Sequence, residues 1–512
     1  MAHGFLLRCN AAEGRHGAIV GADGARADAH ECTVLTAGPV DAARILDRYL
    51  EDHRVDSPDV PAAIAVWDGR TRELRLVRDR TGLYPLFYSH AAQELISSPD
   101  ARAILAEPDV SRELDPLALA GWLAGVDGDP AETLYRRLRR VPAGHVLEAD
   151  RHGERERRVW EPPASGSFDP SEASRFGEVL EAAIGRSLDG RAAIFLSGGI
   201  DSAAVAAATT VASGGVGVQS PLALCVHIEG ASEEQTQRAV ADALDLERRT
   251  REATSGTGLI ERALDRAAVS LWPTGSAWQP VFDDLVAEAQ ESGVTAILDG
   301  IGGDDLLDAG LSSAWPALRS GRLDVLLRLA AAERGYTGGG MLSVLKAAVP
   351  RRRAWSAPHF IARHHHAALA ERANLTHDDL LSTRLVAGWE ETWDTGLRLG
   401  LASRHPLWDA SVVGIVRGLP RESLIANGEA KSPARSYLRA RIPLQTGRWP
   451  RPEVADSLLE ALEREHDIYA PPAESFRNLI KLGVIDADVR QEGLALSLVT
   501  TILACERWTH VS

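Results

Sequence analysis

The spacing of apolar residues in the first 160 positions is typical of β-strands with a few helices between them. Apolar-rich runs at 64–68 and 74–78 flank a Gly-Arg-Thr-Arg turn, which predicts a β-hairpin. The run at 85–88 is predicted to continue this hairpin as a meander. Residues 41–50 instead repeat apolar side chains with the spacing of a helix. A stretch rich in Pro, Ser and Gly at 161–174 predicts a linker or a surface crossing.

The pattern changes from residue 175 onward, where apolar strands alternate with helices. An amphipathic helix over 176–184 precedes a predicted strand at 192–196, and further strands are predicted at 222–228 and 294–298. Residues beyond 310 are predicted to be mostly helical. Strands that alternate with helices in this way predict a parallel α/β sheet.

The composition narrows the class of protein. Of the 512 residues, 45% are hydrophobic and 25% are charged, which supports large packed cores. The net charge of −16 argues against nucleic acid and anionic membrane as partners, because both require a basic face. The four cysteines form no Cys-x-x-Cys pair, which excludes a cysteine-rich zinc module and a disulfide framework. Without a signal-peptide pattern or a long apolar run, we expect a cytoplasmic protein with no membrane span.

One short segment carries the strongest chemical signal. Residues 197–202, Ser-Gly-Gly-Ile-Asp-Ser, follow a buried strand and begin a helix, so free backbone N–H groups at the helix start attract an anion. The two serine hydroxyls add donors for phosphate oxygens. An aspartate beside phosphate requires a cation between them, which predicts Mg²⁺. We therefore predict phosphate or metal contacts from Ser197, Gly198, Gly199, Asp201 and Ser202.

This segment resembles the pyrophosphate loop of the ATP-pyrophosphatase superfamily, whose enzymes cleave ATP between the α and β phosphates and adenylate a substrate. A second segment at 298–305, Leu-Asp-Gly-Ile-Gly-Gly-Asp-Asp, resembles the second glycine-rich motif of the asparagine synthetase-like family. The resemblance implies that Asp304 is the other Mg²⁺ ligand, and that Gly300 and Leu196 lie against the nucleotide. Acidic residues at the C-terminal ends of two parallel strands suit a bridging cation.

Two segments further along the chain are also similar to that family. Residues 405–409, His-Pro-Leu-Trp-Asp, resemble its Pro-Phe-Leu-Asp segment. Lys431 resembles the catalytic lysine that offsets negative charge on the α-phosphate and on the leaving pyrophosphate, charge that develops in the transition state. The family usually has a second lysine further on. This chain has Gly-Arg-Trp-Pro-Arg at 447–451 instead, so Arg448 or Arg451 is the candidate replacement.

The N-terminal part resembles the glutaminase domain of asparagine synthetases, through Arg-Asp-Arg-Thr-Gly-Leu-Tyr-Pro-Leu at 78–86 and Val-Pro-Ala-Gly-His at 141–145. That domain uses the thiolate of an N-terminal cysteine, freed by removal of Met, as its nucleophile. Position 2 here is Ala2, and the nearest cysteine is Cys9. The glutamine-binding Asn-Gly-Glu-Ile-Tyr-Asn segment is missing as well. We therefore predict no glutamine hydrolysis, and an amine that comes from free ammonia, a second substrate or the same substrate.

The resemblance implies two domains. A degenerate glutaminase-like domain at 1–162 is expected to have an α+β fold, an Ntn-type β-sandwich. A synthetase domain at 175–512 is expected to have the α/β parallel sheet of an ATP-pyrophosphatase, followed by a mostly helical C-terminal part.

Relatives without an active glutaminase include β-lactam synthetases and lasso-peptide macrolactam synthetases, which both close an intramolecular amide. The β-lactam type pairs a tyrosine, at the position of Ile301, with a glutamate that Glu390 or Glu391 could match. Because Ile301 removes the tyrosine, β-lactam closure ranks lower. A peptide α-amine, with a pKa of about 8, needs less help from a base. Residues 482–486 and 505–508 also resemble the C-terminal segments of lasso cyclases.

These resemblances predict an ATP-dependent, AMP-forming amide ligase that uses Mg²⁺ and closes a macrolactam in a ribosomal lasso peptide. The alternative is an ammonia- or small-amine-dependent ligase related to asparagine synthetase, or one of the β-lactam type. A third hypothesis is that the chain is not an enzyme but a binding protein that keeps the fold and has lost catalytic turnover. The expected partners are a peptide or small-molecule substrate, together with a leader peptidase and a precursor-recognition protein.

Overall fold

The computed structural model of the chain describes most of its residues. The described segments are 4–21, 23–188, 190–228, 233–253, 258–274, 276, 279–308, 314–336, 340–348, 355–374, 382–442, 473–486 and 496–511. None of the helices in these segments is both long enough and apolar enough to cross a membrane.

In its described residues, the N-terminal part contains two antiparallel sheets and three helices. In chain order the elements are β1 (Phe5–Asn10), β2 (Arg15–Val20), β3 (Gly24–Ala29), β4 (Cys32–Ala37), α1 (Ala42–Asp52), β5 (Ala63–Asp68), β6 (Glu73–Arg78), β7 (Phe87–Ala91), β8 (Glu94–Ser98), α2 (Ala101–Leu105), α3 (Pro116–Ala124), β9 (Leu138–Arg140), β10 (His145–Asp150) and β11 (Gly153–Arg158). One sheet has the strand order β2-β1-β8-β7-β9, and the other has the order β11-β10-β6-β5-β4-β3.

The two sheets enclose a shared hydrophobic core. Phe5 and Leu7 of β1 belong to the same buried cluster as Leu35 of β4 and Leu76 of β6. Helix α1 covers the outer face of the six-stranded sheet, where Leu46 is buried in a second cluster. The N-terminal part is therefore a β-sandwich with helices packed outside it, as its resemblance to a glutaminase domain implies.

The predicted hairpin is confirmed, and the predicted meander is wrong. Strands β5 and β6 pair antiparallel along their whole length. The next strand, β7, pairs instead with β8 and β9 in the other sheet. Between β6 and β7 the carboxylate of Asp79 accepts hydrogen bonds from the backbone N–H groups of Thr81, Leu83 and Tyr84. This turn directs the chain across the sandwich, which the apolar pattern of the strands does not reveal.

The hairpin contains a buried carboxylate that makes stability depend on pH. Asp68, at the end of β5, accepts hydrogen bonds from Arg70 at 2.7 to 3.0 Å and from the Tyr49 hydroxyl at 3.2 Å. Burial alone would raise the pKa of Asp68, but the hydrogen bonds from Arg70 outweigh it and lower the pKa to about 2. The unfolded value is about 3.9, so the stabilisation is complete above this value and is lost as the pH falls toward about 2.

We expect the Asp68→Asn variant to be less stable than the parent at neutral pH. Its urea midpoint should also fall less than that of the parent when the pH drops from about 5 to about 3. The exposed residue Asp47 on α1 supplies the control Asp47→Asn, whose midpoint should follow that of the parent. Parallel midpoint curves for Asp68→Asn and the parent would contradict the assignment.

The second part of the chain is built around a parallel sheet. In chain order its elements are α4 (Phe176–Ser187), β12 (Arg191–Phe195), α5 (Ile200–Val216), β13 (Leu222–Ile228), α6 (Glu233–Ala243), β14 (Glu247–Ala253), α7 (Leu259–Val269), α8 (Gln279–Glu291), β15 (Val294–Leu298), α9 (Gly303–Leu307), α10 (Ala314–Arg319), α11 (Leu323–Tyr336), α12 (Met341–Ala348), α13 (His366–Ala373), α14 (Thr383–Leu399), β16 (Ala402–Arg404), α15 (Ala410–Gly418), α16 (Ser432–Arg441), α17 (Arg477–Lys481) and α18 (Leu496–Val511). The strands have the order β14-β13-β12-β15-β16, and all four pairings are parallel.

The direction of strand addition reverses between β12 and β15. After β12 the chain adds β13 and β14 on one side, and it then returns to add β15 and β16 on the other. The loops that follow β12 and β15 therefore start next to each other at the C-terminal edge of the sheet. Such a switch point is where open parallel sheets form a ligand-binding crevice.

The sequence predicted three strands of this sheet and missed the two at its edges. β13 and β15 have the predicted bounds, and β12 begins and ends one residue earlier than predicted. The edge strand β14, Glu-Arg-Arg-Thr-Arg-Glu-Ala, is mostly polar and exposed, so it has no apolar pattern, although it pairs with β13 along its whole length. β16 has only three residues and lies in the region that was predicted to be mostly helical.

The two parts of the chain are packed together through one hydrophobic cluster. Phe87 and Leu119 of the N-terminal part belong to the same buried cluster as Trp272 and Trp508 of the second part. The predicted linker is also fixed in place, because the N–H of Phe168 donates to a carbonyl at the end of α15, 2.9 Å away. The β-sandwich thus supports the helices of the second part directly.

Candidate active site

The loop over residues 196–202 connects β12 to the start of α5. Gly198 has a φ of +87°, a left-handed conformation that favours glycine. Gly199 is the N-cap of the 17-residue helix α5, and no side chain caps this helix end. The first N–H groups of a helix have no partner within the helix. The start of α5 therefore presents backbone N–H groups without a partner in the helix and the positive end of a helix dipole, which together suit phosphate oxygens.

The two serines of this loop have different environments. Ser197 is exposed, whereas Ser202 is 4% exposed. The Ser202 hydroxyl donates to Gly199 O at 3.1 Å and accepts from Ser197 N at 3.2 Å, so it holds the loop in shape. Leu196 is buried in the core, which leaves only its backbone to face a ligand. The predicted phosphate contacts of Ser197 and Ser202, and the nucleotide contact of Leu196, stay predictions.

The second glycine-rich loop lies directly against the first. A Cβ on Gly300 would lie 2.7 Å from the backbone nitrogen of Ser202, and one on Gly303 would lie 2.3 Å from Cγ of Asp201. Any side chain at these positions would separate the loops. Glycine is therefore required here for packing, and the predicted contact between Gly300 and a nucleotide stays a prediction.

The close contact of the loops brings three predicted residues together. The Lys431 ammonium, at the start of α16, lies 2.5 Å from Asp201 Oδ2 and 2.5 Å from Asp304 Oδ1. Asp201 is in the first turn of α5, and Asp304 is in the first turn of α9. The side chain of Asp201 is 14% exposed, and that of Asp304 is 77% exposed. The carboxylate of Asp201 therefore lies inside the crevice between the two loops, and that of Asp304 lies on its solvent side.

The electrostatics of this cluster suit a cation. Burial raises the pKa of Asp201, and the ammonium of Lys431 offsets part of that effect. Burial opposes the charge of Lys431 as well, but Asp201 and Asp304 outweigh it and raise the pKa of Lys431. The second oxygen of Asp201, Oδ1, is buried and has no hydrogen-bond partner. Two carboxylates with one unsatisfied oxygen are donors that fit Mg²⁺, with phosphate oxygens and water completing its shell.

The backbone of Lys431 is held in an uncommon conformation. Its φ of +60° lies in the left-handed region, which residues other than glycine rarely adopt. Such conformations persist where the surrounding structure fixes them, and they concentrate at functional sites. Lys431 is at the start of α16, and this conformation directs its side chain toward the carboxylates of Asp201 and Asp304. Arg448 and Arg451 lie outside the described residues.

A cavity of about 290 Å³ lies beside the second glycine-rich loop. Its walls come from the ends of β12, β15 and β16 and from helices α7, α8 and α14, and the surface they present to the cavity is mostly apolar. Phe195, Ile297 and Ile301 form part of the apolar wall, and Ile301 is half exposed. Because this cavity adjoins the crevice of the two loops, a substrate bound in it would lie near a bound nucleotide.

Glu390 and Glu391, the two candidates for the glutamate of the β-lactam type, differ completely in their surroundings. Glu390 accepts two hydrogen bonds from Arg140 at 2.9 Å, one from Arg78 at 3.3 Å and one from the Trp272 indole at 3.0 Å. It is fully buried and saturated with partners. Glu391 instead lines the cavity, where burial raises its pKa and Arg266 offsets part of that rise. Of the two, Glu391 is the one that would lie near a substrate bound in the cavity.

Sequence reasoning missed a polar group on the wall of this cavity. Asp299 Oδ1 lies 3.0 Å from His405 Nδ1, and His405 Nε2 lies 2.9 Å from Thr392 Oγ1. Asp299 and Thr392 line the cavity, while His405 is buried behind them. The signal in the sequence was a histidine before Pro406 and an aspartate in the second glycine-rich loop. Neither motif indicates that the two side chains meet.

All four cysteines of the sequence lie in described segments, and all are buried as free thiols. Burial raises the pKa of Cys9 to about 12, that of Cys32 to about 11 and that of Cys225 to about 12, and it raises that of Cys505 as well. A catalytic thiol needs exposure and a lowered pKa. These four thiols have neither property.

The chain is similar to several known proteins. A family model described as asparagine synthase matches residues 175–466, more than half of the chain, and one described as glutamine amidotransferase domain matches residues 59–160. The glutamine-hydrolyzing asparagine synthetase 3 of Bacillus subtilis is 29% identical over 182 residues, which cover 34% of this chain and 29% of that protein. The glutamine-hydrolyzing asparagine synthetase 2 of the same bacterium is 31% identical over 171 residues, which cover 28% of this chain and 22% of that protein. The matched part therefore spans less than a third of either relative.

Among solved structures, an NAD+ synthetase from Burkholderia pseudomallei is 14% identical, with coverage of 45% of this chain and 94% of that chain. Its TM-score of 0.18 is too low to establish a shared fold.

Proposed function

Because the chain belongs to the asparagine synthase family, whose members are ATP-dependent ligases that form carbon–nitrogen bonds, we propose that it joins a carboxylate to an amine and releases AMP and pyrophosphate. The observation that carries this proposal is the convergence of Asp201, Asp304 and Lys431 at the start of α5. Two carboxylates that can hold a cation, a buried ammonium and an uncapped helix N-terminus are the groups that bind the phosphates of a nucleoside triphosphate.

Each residue of the site has a defined task in the first step. A substrate carboxylate attacks the α-phosphorus of ATP, and the bond to the β-phosphate breaks as pyrophosphate leaves. The loop over residues 197–202 binds the leaving pyrophosphate through the backbone N–H groups in the first turn of α5. Lys431 stabilises the negative charge that develops there. Asp201 and Asp304 would hold Mg²⁺, which when bound neutralises phosphate charge.

The amine is proposed to come from the substrate and not from glutamine. A glutaminase of this kind needs an exposed cysteine thiolate, and all four cysteines of the sequence are buried with raised pKa values. The β-sandwich then serves as a structural support for the second part of the chain. Its hydrophobic cluster and its ion pairs to α14 are consistent with that role.

The acceptor is proposed to be a peptide that is closed into a macrolactam, as in lasso peptides. The cavity beside the nucleotide crevice is large enough for apolar side chains, and its surface is mostly apolar. The charged amino and carboxylate groups of a free amino acid would both be desolvated against such walls, whereas a peptide can place apolar side chains there. We further propose a leader peptidase and a precursor-recognition protein as partners, and the cytoplasm as the location.

A second candidate is an asparagine synthetase-like ligase that uses ammonia or a small amine. The similarity to two Bacillus subtilis proteins that are named asparagine synthetases favours this candidate. A β-lactam synthetase-like reaction has less support, because Ile301 stands where that type has a tyrosine, although Glu391 is suitably placed in the cavity.

The proposal is tested by incubating the purified protein with ATP, Mg²⁺ and a leader-free candidate precursor peptide. We expect a product lighter than the peptide by one water, together with one AMP for each ring formed. A peptide acetylated at its N-terminus is the matched control and should release no AMP beyond background. Ammonia-dependent amidation of aspartate, with no reaction of any peptide, would support the second candidate and overturn the first.

A further inference from the structure

We propose that Thr392, His405 and Asp299 form a proton relay that accepts a proton from the attacking amine. The inference rests on the proposed amide-forming function and concerns its second step. The three side chains come from different elements: Thr392 from α14, His405 from the residue after β16, and Asp299 from the loop after β15. They form a continuous chain of hydrogen bonds that begins at the cavity wall.

The arrangement has the order of a hydroxyl, an imidazole and a carboxylate. Asp299 Oδ1 lies 3.0 Å from His405 Nδ1, and it also accepts the N–H of Ile301 at 3.1 Å. The carboxylate therefore favours the tautomer with the hydrogen on Nδ1. Nε2 then has a free lone pair, and it faces the Thr392 hydroxyl at 2.9 Å. A histidine held in this way is suited to accept a proton through the hydroxyl.

The surroundings keep the histidine fixed. His405 is 5% exposed, and its ring lies against the indole of Trp389, with centroids 4.4 Å apart. The Thr392 hydroxyl has a second acceptor within reach, the carbonyl of Trp389 at 2.9 Å. Its hydrogen can thus point to the carbonyl or to His405. The hydroxyl is placed to pass a proton inward while its oxygen remains at the cavity.

The step balances without any further reagent. The amine nitrogen attacks the carbonyl carbon of the acyl-adenylate, and a carbon–nitrogen bond forms. The bond from that carbon to the phosphate oxygen breaks, and AMP leaves with the electron pair. The amine proton passes to Thr392 Oγ1 while the hydroxyl proton passes to His405 Nε2, and Asp299 stabilises the resulting imidazolium. His405 releases this proton to water when the products leave.

The test compares Thr392→Val, which removes the hydroxyl and keeps the shape, with Thr392→Ser, which retains it. Two rates are measured with each protein: ATP–pyrophosphate exchange, which reports adenylation, and amide formation with the peptide. We expect Thr392→Val to slow amide formation by about a hundredfold or more. Exchange should change by less than about threefold, because the hydroxyl acts only after adenylation. Thr392→Ser should recover most of the amide-forming rate.

Hydroxylamine separates a relay from a structural role. It is largely unprotonated at neutral pH and attacks an acyl-adenylate without a base, so Thr392→Val should form hydroxamate at nearly the parental rate. His405→Asn should behave in the same way. The control is Thr209→Val, which removes a buried hydroxyl from α5 that donates to the carbonyl one turn earlier, and all its rates should match the parent.

The outcomes distinguish this inference from the proposed function. Equal loss of amide and hydroxamate formation, or full amide formation by Thr392→Val, would overturn the relay alone. A parent protein without exchange activity would overturn the proposed function and the relay with it.

Discussion

The Asp201→Asn variant is expected to lose ATP–pyrophosphate exchange by about a thousandfold or more. The substitution keeps the size of the side chain but removes the charge from the buried centre of the site. Asp201 contacts Lys431 through one oxygen, and its other oxygen is buried without a partner. Among the described residues, an amide would leave Lys431 with only the solvent-exposed Asp304 as a counterion. It would also be a much weaker ligand for a divalent cation.

Asp304→Asn should lower the exchange rate less than Asp201→Asn does. The side chain of Asp304 is 77% exposed, so water can replace part of its contribution, whereas that of Asp201 is 14% exposed. The control Asp242→Asn changes an exposed carboxylate on α6 of the same domain and should leave the exchange rate at the parental value. Circular dichroism should show the same fold for all four proteins. Exchange by Asp201→Asn within about tenfold of the parent would contradict the proposed role.

The nucleotide crevice could be predicted because its signals are local. The glycines, Asp201 and the flanking strand and helix are contiguous in the sequence, and parallel sheet topology places the ends of β12 and β15 side by side. Lys431 was found through resemblance, since nothing in its immediate sequence indicates that α16 packs against α5. In the structure, its ammonium lies between the carboxylates of Asp201 and Asp304.

The polar wall of the cavity could not be predicted in the same way. Asp299, Thr392 and His405 are distant in sequence, and only the folded sheet places α14 against the loop after β15. The pairing of Glu390 with arginines of the β-sandwich could not be predicted either, because these residues are also distant in sequence. Glu390 sits beside Glu391 in the sequence, but a helix directs adjacent side chains to different faces. Glu391 faces the cavity, and Glu390 faces the β-sandwich.

The Arg140→Met variant is expected to lower the free energy of unfolding by about 3–5 kcal/mol, because it leaves a buried charge without its main partner. Glu390 is fully buried, and Arg140 forms two of its four hydrogen bonds. Arg78, at 3.3 Å from one oxygen, is left to neutralise the carboxylate alone. The double variant with Arg140→Met and Glu390→Met removes both charges and should recover part of the lost stability, because Arg78 then loses one acceptor but keeps its hydrogen bonds to three backbone carbonyls. The measurement is unfolding in urea, followed by tryptophan fluorescence.

The neighbouring residue supplies a matched control for this ion pair. Arg139 is 44% exposed and pairs with Asp129 at the surface, so Arg139→Met should cost less than about 1 kcal/mol. An equal loss in the free energy of unfolding from the two arginine substitutions would show that the buried ion pair stabilises the fold no more than the surface pair does. A further effect should follow from the position of Glu390 on α14, whose opposite side contributes Thr392 to the cavity. Arg140→Met should therefore impair amide formation more than exchange, because the β-sandwich holds the helix on which the acceptor wall is built.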